Sequence, residues 1–136
     1  MTIRSFALLS CAVVLIPLTS ACDDGEDTIP TSGLSGSWEA TSFVAQQGNL
    51  LDQGMGMDVE LTNSSTYNLT ITGDRAGLCN PGPDCTRTGN FSADQQTITL
   101  DPGPDGLTFT WVRTGETMTW TGTVGGVPAT ITFDED

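Results

Sequence analysis

The chain has 136 residues, with seventeen acids against four arginines and no lysine or histidine, for a formal charge of −13. A polyanion of this density repels phosphate backbones, which excludes nucleic acid as a partner, and without histidine or lysine the usual bases of Ser-His-Asp and Cys-His mechanisms are missing. The length suits one domain with a modest core.

Met1 to Arg4 carries one positive charge and Phe6 to Leu18 carries none, the n-region and h-region of an export signal. Pro17, Asp23 and Asp24 end the apolar run well short of the roughly 20 residues that a transmembrane helix needs. Leu18-Thr19-Ser20-Ala21-Cys22 resembles the lipobox of bacterial lipoproteins, with Thr19 where Leu is commoner. The resemblance implies that residues 1–21 are a signal peptide and that Cys22 becomes a lipidated N-terminus, whose two or three acyl chains anchor more firmly than one. The alternative is an ordinary secretory signal cleaved near Ala21. Of the four cysteines, Cys11 leaves with the signal and Cys79 and Cys85 can pair, so lipidation gives the odd one, Cys22, a use. The expected location is the bacterial cell envelope, on the inner or outer membrane and facing the periplasm or the exterior; Asp23 favours inner-membrane retention by a rule that holds in enteric bacteria.

Residues 22–35 read as an acidic flexible tether: after Cys22, Asp23 to Ser35 is Asp, Glu, Gly, Ser, Thr and Pro with two isolated aliphatics, too polar to offset the entropy of ordering. A tether of this length holds a domain about 20 Å from its anchor, and its acids repel anionic headgroups. The mature chain keeps three arginines against seventeen acids. Such acidity serves solubility and can also attract cationic peptides or divalent ions.

From Ser35 the pattern has period two. Tyr67, Leu69 and Ile71 share one face of their run, and the same alternation recurs in 57–61, 107–111, 117–121 and 129–133, with threonine marking the wet side. No helical period follows Cys22. Turn residues at 47–49, 62–65, 93–95, 101–106, 114–116 and 125–126 divide the rest into eight strands: about 36–45, 55–62, 65–72, 86–92, 96–100, 107–113, 117–123 and 127–133. One wet and one dry face imply antiparallel pairing, and successive hairpins imply an all-β, up-and-down meander over 36–134 that closes into a small barrel. A two-sheet β-sandwich is the alternative. Cys79 to Cys85 contains two prolines and a glycine in the longest connection, and a disulfide closing these seven residues contributes roughly 2 kcal/mol.

Gly36-Ser37-Trp38 looks like the G-x-W that opens the first strand of lipocalins and smaller lipocalin-like domains, and the 89–100 hairpin and the Met118-Thr119-Trp120 strand are similar to theirs. In lipocalins an arginine late in the barrel packs across that tryptophan. The resemblance implies this role for Arg113, in phase with Leu107, Phe109 and Trp111, although its sixth-strand position departs from the family pattern.

The inward residues Trp38, Met57, Tyr67, Leu69, Phe109, Trp111, Met118 and Trp120 form the candidate pocket for a small hydrophobic ligand, with Met55 beside them. The same side chains also suffice to fill a barrel this small. In that case the acidic outer face or the loops contact another envelope protein, as an inhibitor would. Asp58 and Glu60, about 7 Å apart on one face of a strand, have the spacing of paired carboxylates but the outward phase of a solubilising face. Asp101-Pro-Gly-Pro-Asp105-Gly106 mimics a calcium loop, yet it has Gly103 at the third position and Val112 at the twelfth, where an EF-hand has oxygen ligands. We therefore expect a non-catalytic monomer with no metal and no cofactor, held to a membrane through its lipid anchor.

Overall fold

The computed structural model describes residues 33–136. The expected signal segment, Cys22 and the expected tether up to residue 32 lie outside the described residues.

The strands are β1 (Gly36–Ala45), β2 (Gly48–Asn49), β3 (Gly56–Leu61), β4 (Thr66–Thr72), β5 (Cys85–Ala93), β6 (Thr97–Leu100), β7 (Leu107–Thr114), β8 (Thr117–Val124) and β9 (Val127–Glu135). Each long strand pairs antiparallel with the next, and β9 returns to pair with β1 from Trp38↔Glu135 to Val44↔Thr130. The result is a closed eight-stranded barrel rather than a two-sheet sandwich. The eight expected strands are β1 and β3 to β9. Residues 47–49, read from sequence as a turn, instead carry the two-residue β2, which pairs with the end of β1 outside the barrel and runs into a 3-10 turn at Leu51–Gln53.

Alternation holds where the inward positions carry apolar side chains. β3 buries Met57, Val59 and Leu61, while β4 buries Tyr67, Leu69 and Ile71. β1 departs from strict period two: Trp38 and Ala40 point inward, and the next fully buried residue is Phe43. A bulge between Ala40 and Ser42 accounts for the shift, since one extra residue opposes β9 there and flips the phase. Turn chemistry closes the hairpins. Gly125 and Gly126 both have positive φ, the backbone that a two-residue type I′ connection between Val124 and Val127 demands. Between β5 and β6, Asp94 Oδ1 accepts hydrogen bonds from the backbone N–H groups of Gln96 and Thr97 at 2.9 and 2.7 Å, and these bonds hold its carboxyl below its ordinary pKa.

The core runs from one end of the barrel to the other and contains no buried charged group among the described residues. Leu34, which precedes β1, is fully buried and belongs to it. At the other end Leu50, Met55 and Cys79 come from connections rather than barrel strands. The connection 73–84 leans over that end and is braced from within: Asp74 accepts from Ala76 and Cys79 N–H at 2.8 Å, and Asp84 accepts from Gly73 N–H at 2.7 Å. The expected Cys79–Cys85 disulfide is present, with a Cα separation of 5.5 Å.

Where β7 pairs with β8, Gly122 lies opposite Phe109, and a Cβ at Gly122 would sit 2.7 Å from both the Thr108 carbonyl oxygen and the Phe109 ring. Backbone cannot yield as a flexible side chain can. Gly122→Ala is expected to lower stability by about 1–3 kcal/mol, read as a lower urea midpoint with an unchanged slope.

Candidate functional site

Three groups of residues could carry function, and each is assembled by strand register. At the end of the barrel where β1 begins, Trp38 is 1% exposed. Its indole N–H donates to the Leu34 carbonyl at 3.0 Å. The Arg113 guanidinium lies 4.9 Å from the centre of the same ring, as the resemblance implied. Arg113 also donates from Nε to the Gly115 carbonyl at 2.8 Å, from Nη1 to the Gly33 carbonyl, and from Nη2 to Glu135 Oε2 at 2.8 Å. One side chain on β7 thus ties down β1, β9 and the segment before β1. This arrangement is a structural latch that engages all three guanidinium nitrogens.

The barrel interior holds the candidate pocket. Met57, Leu69, Phe109 and Trp120 come together around one small cavity, joined by Leu78 and Leu107, whose volume is about 10 Å³. Trp120 stacks on Phe109 at 5.3 Å and meets the Phe133 ring edge-on at 4.8 Å. Met118 is fully buried in the packed core, and Trp38 is held in the latch. Trp111 shares the inward phase but is only half-buried; it packs against the core, and its indole N–H donates to the Asp94 carbonyl at 2.9 Å. The side chains named from sequence therefore fill the barrel, leaving a space smaller than a ligand.

Tyr67 is buried, and its hydroxyl donates to Asp101 Oδ2, which also faces Arg87 Nη2 at 3.7 Å. The loop that resembled a calcium site in sequence therefore turns its first carboxylate onto a phenol and a guanidinium. No group of three or more candidate metal ligands occurs among the described residues. Burial, the hydrogen bond to Asp101 and the Asp101 charge together push the Tyr67 pKa up to about 12.

The third group lies outside the barrel. Register places Glu39 directly opposite Asp58 on β3 and Asp134 on β9, all three exposed. Ser37 lies opposite Glu60, and the Asp136 N–H donates to the Ser37 carbonyl at 2.9 Å, bringing the last carboxylate to the same face. Glu39, Asp58, Glu60 and Asp136 border a shallow cleft of about 230 Å³ that Ser37, Asn68 and Thr70 also line. The two ion pairs among the described residues, Arg87–Asp101 and Arg113–Glu135, use none of these acids. Asp58 and Glu60 were legible as an outward pair, whereas Glu39 and Asp134 join them only through cross-strand register, for which a single sequence carries no signal. Leu78 was also missed, being one aliphatic in a connection of turn residues.

Two outcomes test this geometry. Because Tyr67 is the sole tyrosine, its ionisation can be followed alone at 295 nm: the native midpoint is expected near pH 12 and the urea-unfolded midpoint near the ordinary 10. With the folded value raised, the unfolded chain loses its proton first, so this contribution to stability is intact below about pH 10 and falls away between about 10 and 12. A native midpoint near 10 would contradict the buried phenol–carboxylate contact. Separately, Arg113→Ala is expected to cost about 2–3 kcal/mol through loss of charge-assisted hydrogen bonds and ring contact. A double-mutant cycle with Trp38→Phe should show coupling, because the two residues share the Gly33–Leu34 segment.

No protein-family model matches the chain and no curated protein matches it; the closed eight-stranded barrel is consistent with a lipocalin-like barrel.

Proposed function

We propose that the chain is an envelope lipoprotein, anchored through Cys22, whose filled barrel is a non-catalytic binding module that meets a basic partner on the outer face of β9, β1 and β3. The carrying observation is the row Asp134, Glu39 and Asp58, three carboxylates on neighbouring strands without a cation among them. Like charges directly opposite one another weaken a sheet. A surface that sets three together gives up stability, and a cationic segment laid across the row would return it. Charge of this kind also steers encounter and suppresses acidic competitors. The non-catalytic reading is supported by the interior, where apolar packing offers no carboxylate in a dry site to act as acid or base.

A second reading places a small hydrophobic ligand inside the barrel. One observation favours it: the small cavity beside Trp120 is walled by apolar side chains, Leu78 of the 73–84 connection among them.

The proposal is tested with a hexa-arginine peptide and two charge-matched variants. Glu39→Gln/Asp58→Asn/Asp134→Asn neutralises the row, and Asp52→Asn/Asp105→Asn/Glu116→Gln removes as many exposed acids elsewhere. The row variant is expected to lose at least tenfold in affinity and to gain some tenths of a kcal/mol in stability from relieved repulsion. The control should lose far less. Wild-type binding should weaken with salt. Equal losses in the two variants would show that only net charge matters and would defeat the proposal.

A further inference from the structure

One stretch of the barrel wall has no neighbouring strand. Cys85 to Asn90 of β5 pair with β4 on one side, whereas on the other β6 pairs only with Phe91, Ser92 and Ala93. The line of β6 ends one residue later. The Asp101 N–H donates to the Asn90 carbonyl at 2.8 Å, and a φ of 51° at Asp101 then turns the chain away into the 101–106 loop. Along a strand of an antiparallel pair, successive residues aim their main-chain groups to alternate sides. The Phe91 N–H points to β4, donating to the Ser65 carbonyl at 2.8 Å. Gly89 and Arg87 therefore face β4 as well, while Asn90, Thr88 and Thr86 face the place where β6 would continue. Thr86 and Thr88 are exposed, and no hydrogen bond among the described residues reaches their main-chain groups on that side or the Asn90 N–H.

A row of unmade main-chain bonds is a template for one more strand. A peptide lying antiparallel to β5 there would bond to these groups without breaking a rung of the barrel. Side-chain direction states its chemistry. Residues directly opposite each other in a sheet point to the same side. Leu69, opposite Arg87, is buried, so Arg87 takes the interior phase while Thr86 and Thr88 point outward. A peptide residue opposite Arg87 would lie beside its guanidinium. That cation is loosely held: its one ion pair among the described residues is with Asp101 Oδ2 at 3.7 Å, an oxygen that already accepts from the Tyr67 hydroxyl. Arg113, by contrast, donates from all three of its nitrogens. A carboxylate brought in on the added strand complements Arg87, and the flanking positions, beside two threonines, suit β-branched residues.

We propose that the edge of β5 from Thr86 to Asn90 is a second interaction surface, which takes an extended peptide as an added strand and selects one with an aspartate or glutamate opposite Arg87. This surface is independent of the acidic row on β9, β1 and β3. Main-chain bonds supply the affinity, and the single charge pair supplies the choice. Acids more than about 8 Å away are largely screened at physiological salt, so the contact with Arg87 outweighs the negative charge of the chain as a whole.

The test uses ¹⁵N-labelled full-length chain and the capped peptide acetyl-Thr-Val-Thr-Glu-Thr-Val-Thr-amide, with Gln or Lys replacing Glu in two further peptides. Two more carry backbone N-methyl groups, either on both threonines flanking Glu, whose N–H groups would face β5, or on Glu itself, whose N–H would face away. The expected result is a saturable downfield shift of the Thr86 and Thr88 amide resonances with slowed hydrogen exchange at both. Binding should weaken roughly tenfold from Glu to Gln, the ratio that 1.4 kcal/mol gives, and further with Lys. Methylation of the flanking threonines should abolish binding, and methylation of Glu should leave it. Thr88→Pro removes an edge donor and no bond to β4, and should also abolish binding; Arg87→Gln should make the Glu and Gln peptides equal. Binding that leaves Thr86 and Thr88 unmoved, or that survives methylation of both flanking threonines, would overturn strand addition. Equal affinity of the wild type for the Glu, Gln and Lys peptides would overturn selection by Arg87. Binding of no peptide would overturn the surface altogether, whatever the result with hexa-arginine on the acidic row.

Discussion

The contact between Arg113 and Trp38 is the constraint on which the barrel depends. A meander of hairpins can form strand by strand from local turns, but closure requires β9 to meet β1 across the whole intervening chain, and that pairing carries the largest loop-closure cost. Arg113 reaches from β7 to Trp38 on β1, to Glu135 on β9 and to the Gly33 carbonyl ahead of β1. A planar guanidinium can lie on a ring and donate in its own plane at once, which an ammonium cannot. Removing it would leave Glu135 and the Gly33 carbonyl to find water at the seam where the sheet is joined.

The same logic extends to the other two cations among the described residues. Arg75 donates from Nε to the Gln53 carbonyl, joining the 73–84 connection to the turn after β2, and Arg87 faces Asp101 across from Tyr67. Each arginine thus fastens a connection or a strand end. In a chain with so few cations, this allocation leaves the outer face of β9, β1 and β3 without one. The uncompensated acidity of that face is therefore a consequence of where the positive charge is needed for folding, together with the placement of Glu39 between Asp58 and Asp134.

Much of the fold was legible because its determinants are local. Period-two alternation gave the strands, glycine, proline and Asp clusters gave the turns, and Gly36-Ser37-Trp38 pointed to the latch. The phase of β1 beyond Ala40 could not be read, since the bulge is set by pairing with β9 rather than by any residue within β1. Leu34 looked like tether because it is flanked by glycine and serine, and its burial depends on a space that exists only once the barrel has closed. The candidate sites were harder still. Asp101 read as a turn former, and its bond to Tyr67 joins residues 34 positions apart. The acidic row needed register, and the void needed three-dimensional packing.

The interior shows why volume rather than chemistry limits what this barrel can hold. Eight short strands enclose space for little more than side chains, and Phe109, Trp120 and Phe133 occupy much of it through mutually stacked and edge-on rings. Aromatic packing of this kind fixes ring orientation, and so it also fixes where the Trp120 N–H must sit. Turning the ring to reach a backbone acceptor would undo its contacts with both phenylalanines. The hydrogen bond that the Trp120 N–H lacks is thus the cost of this packing.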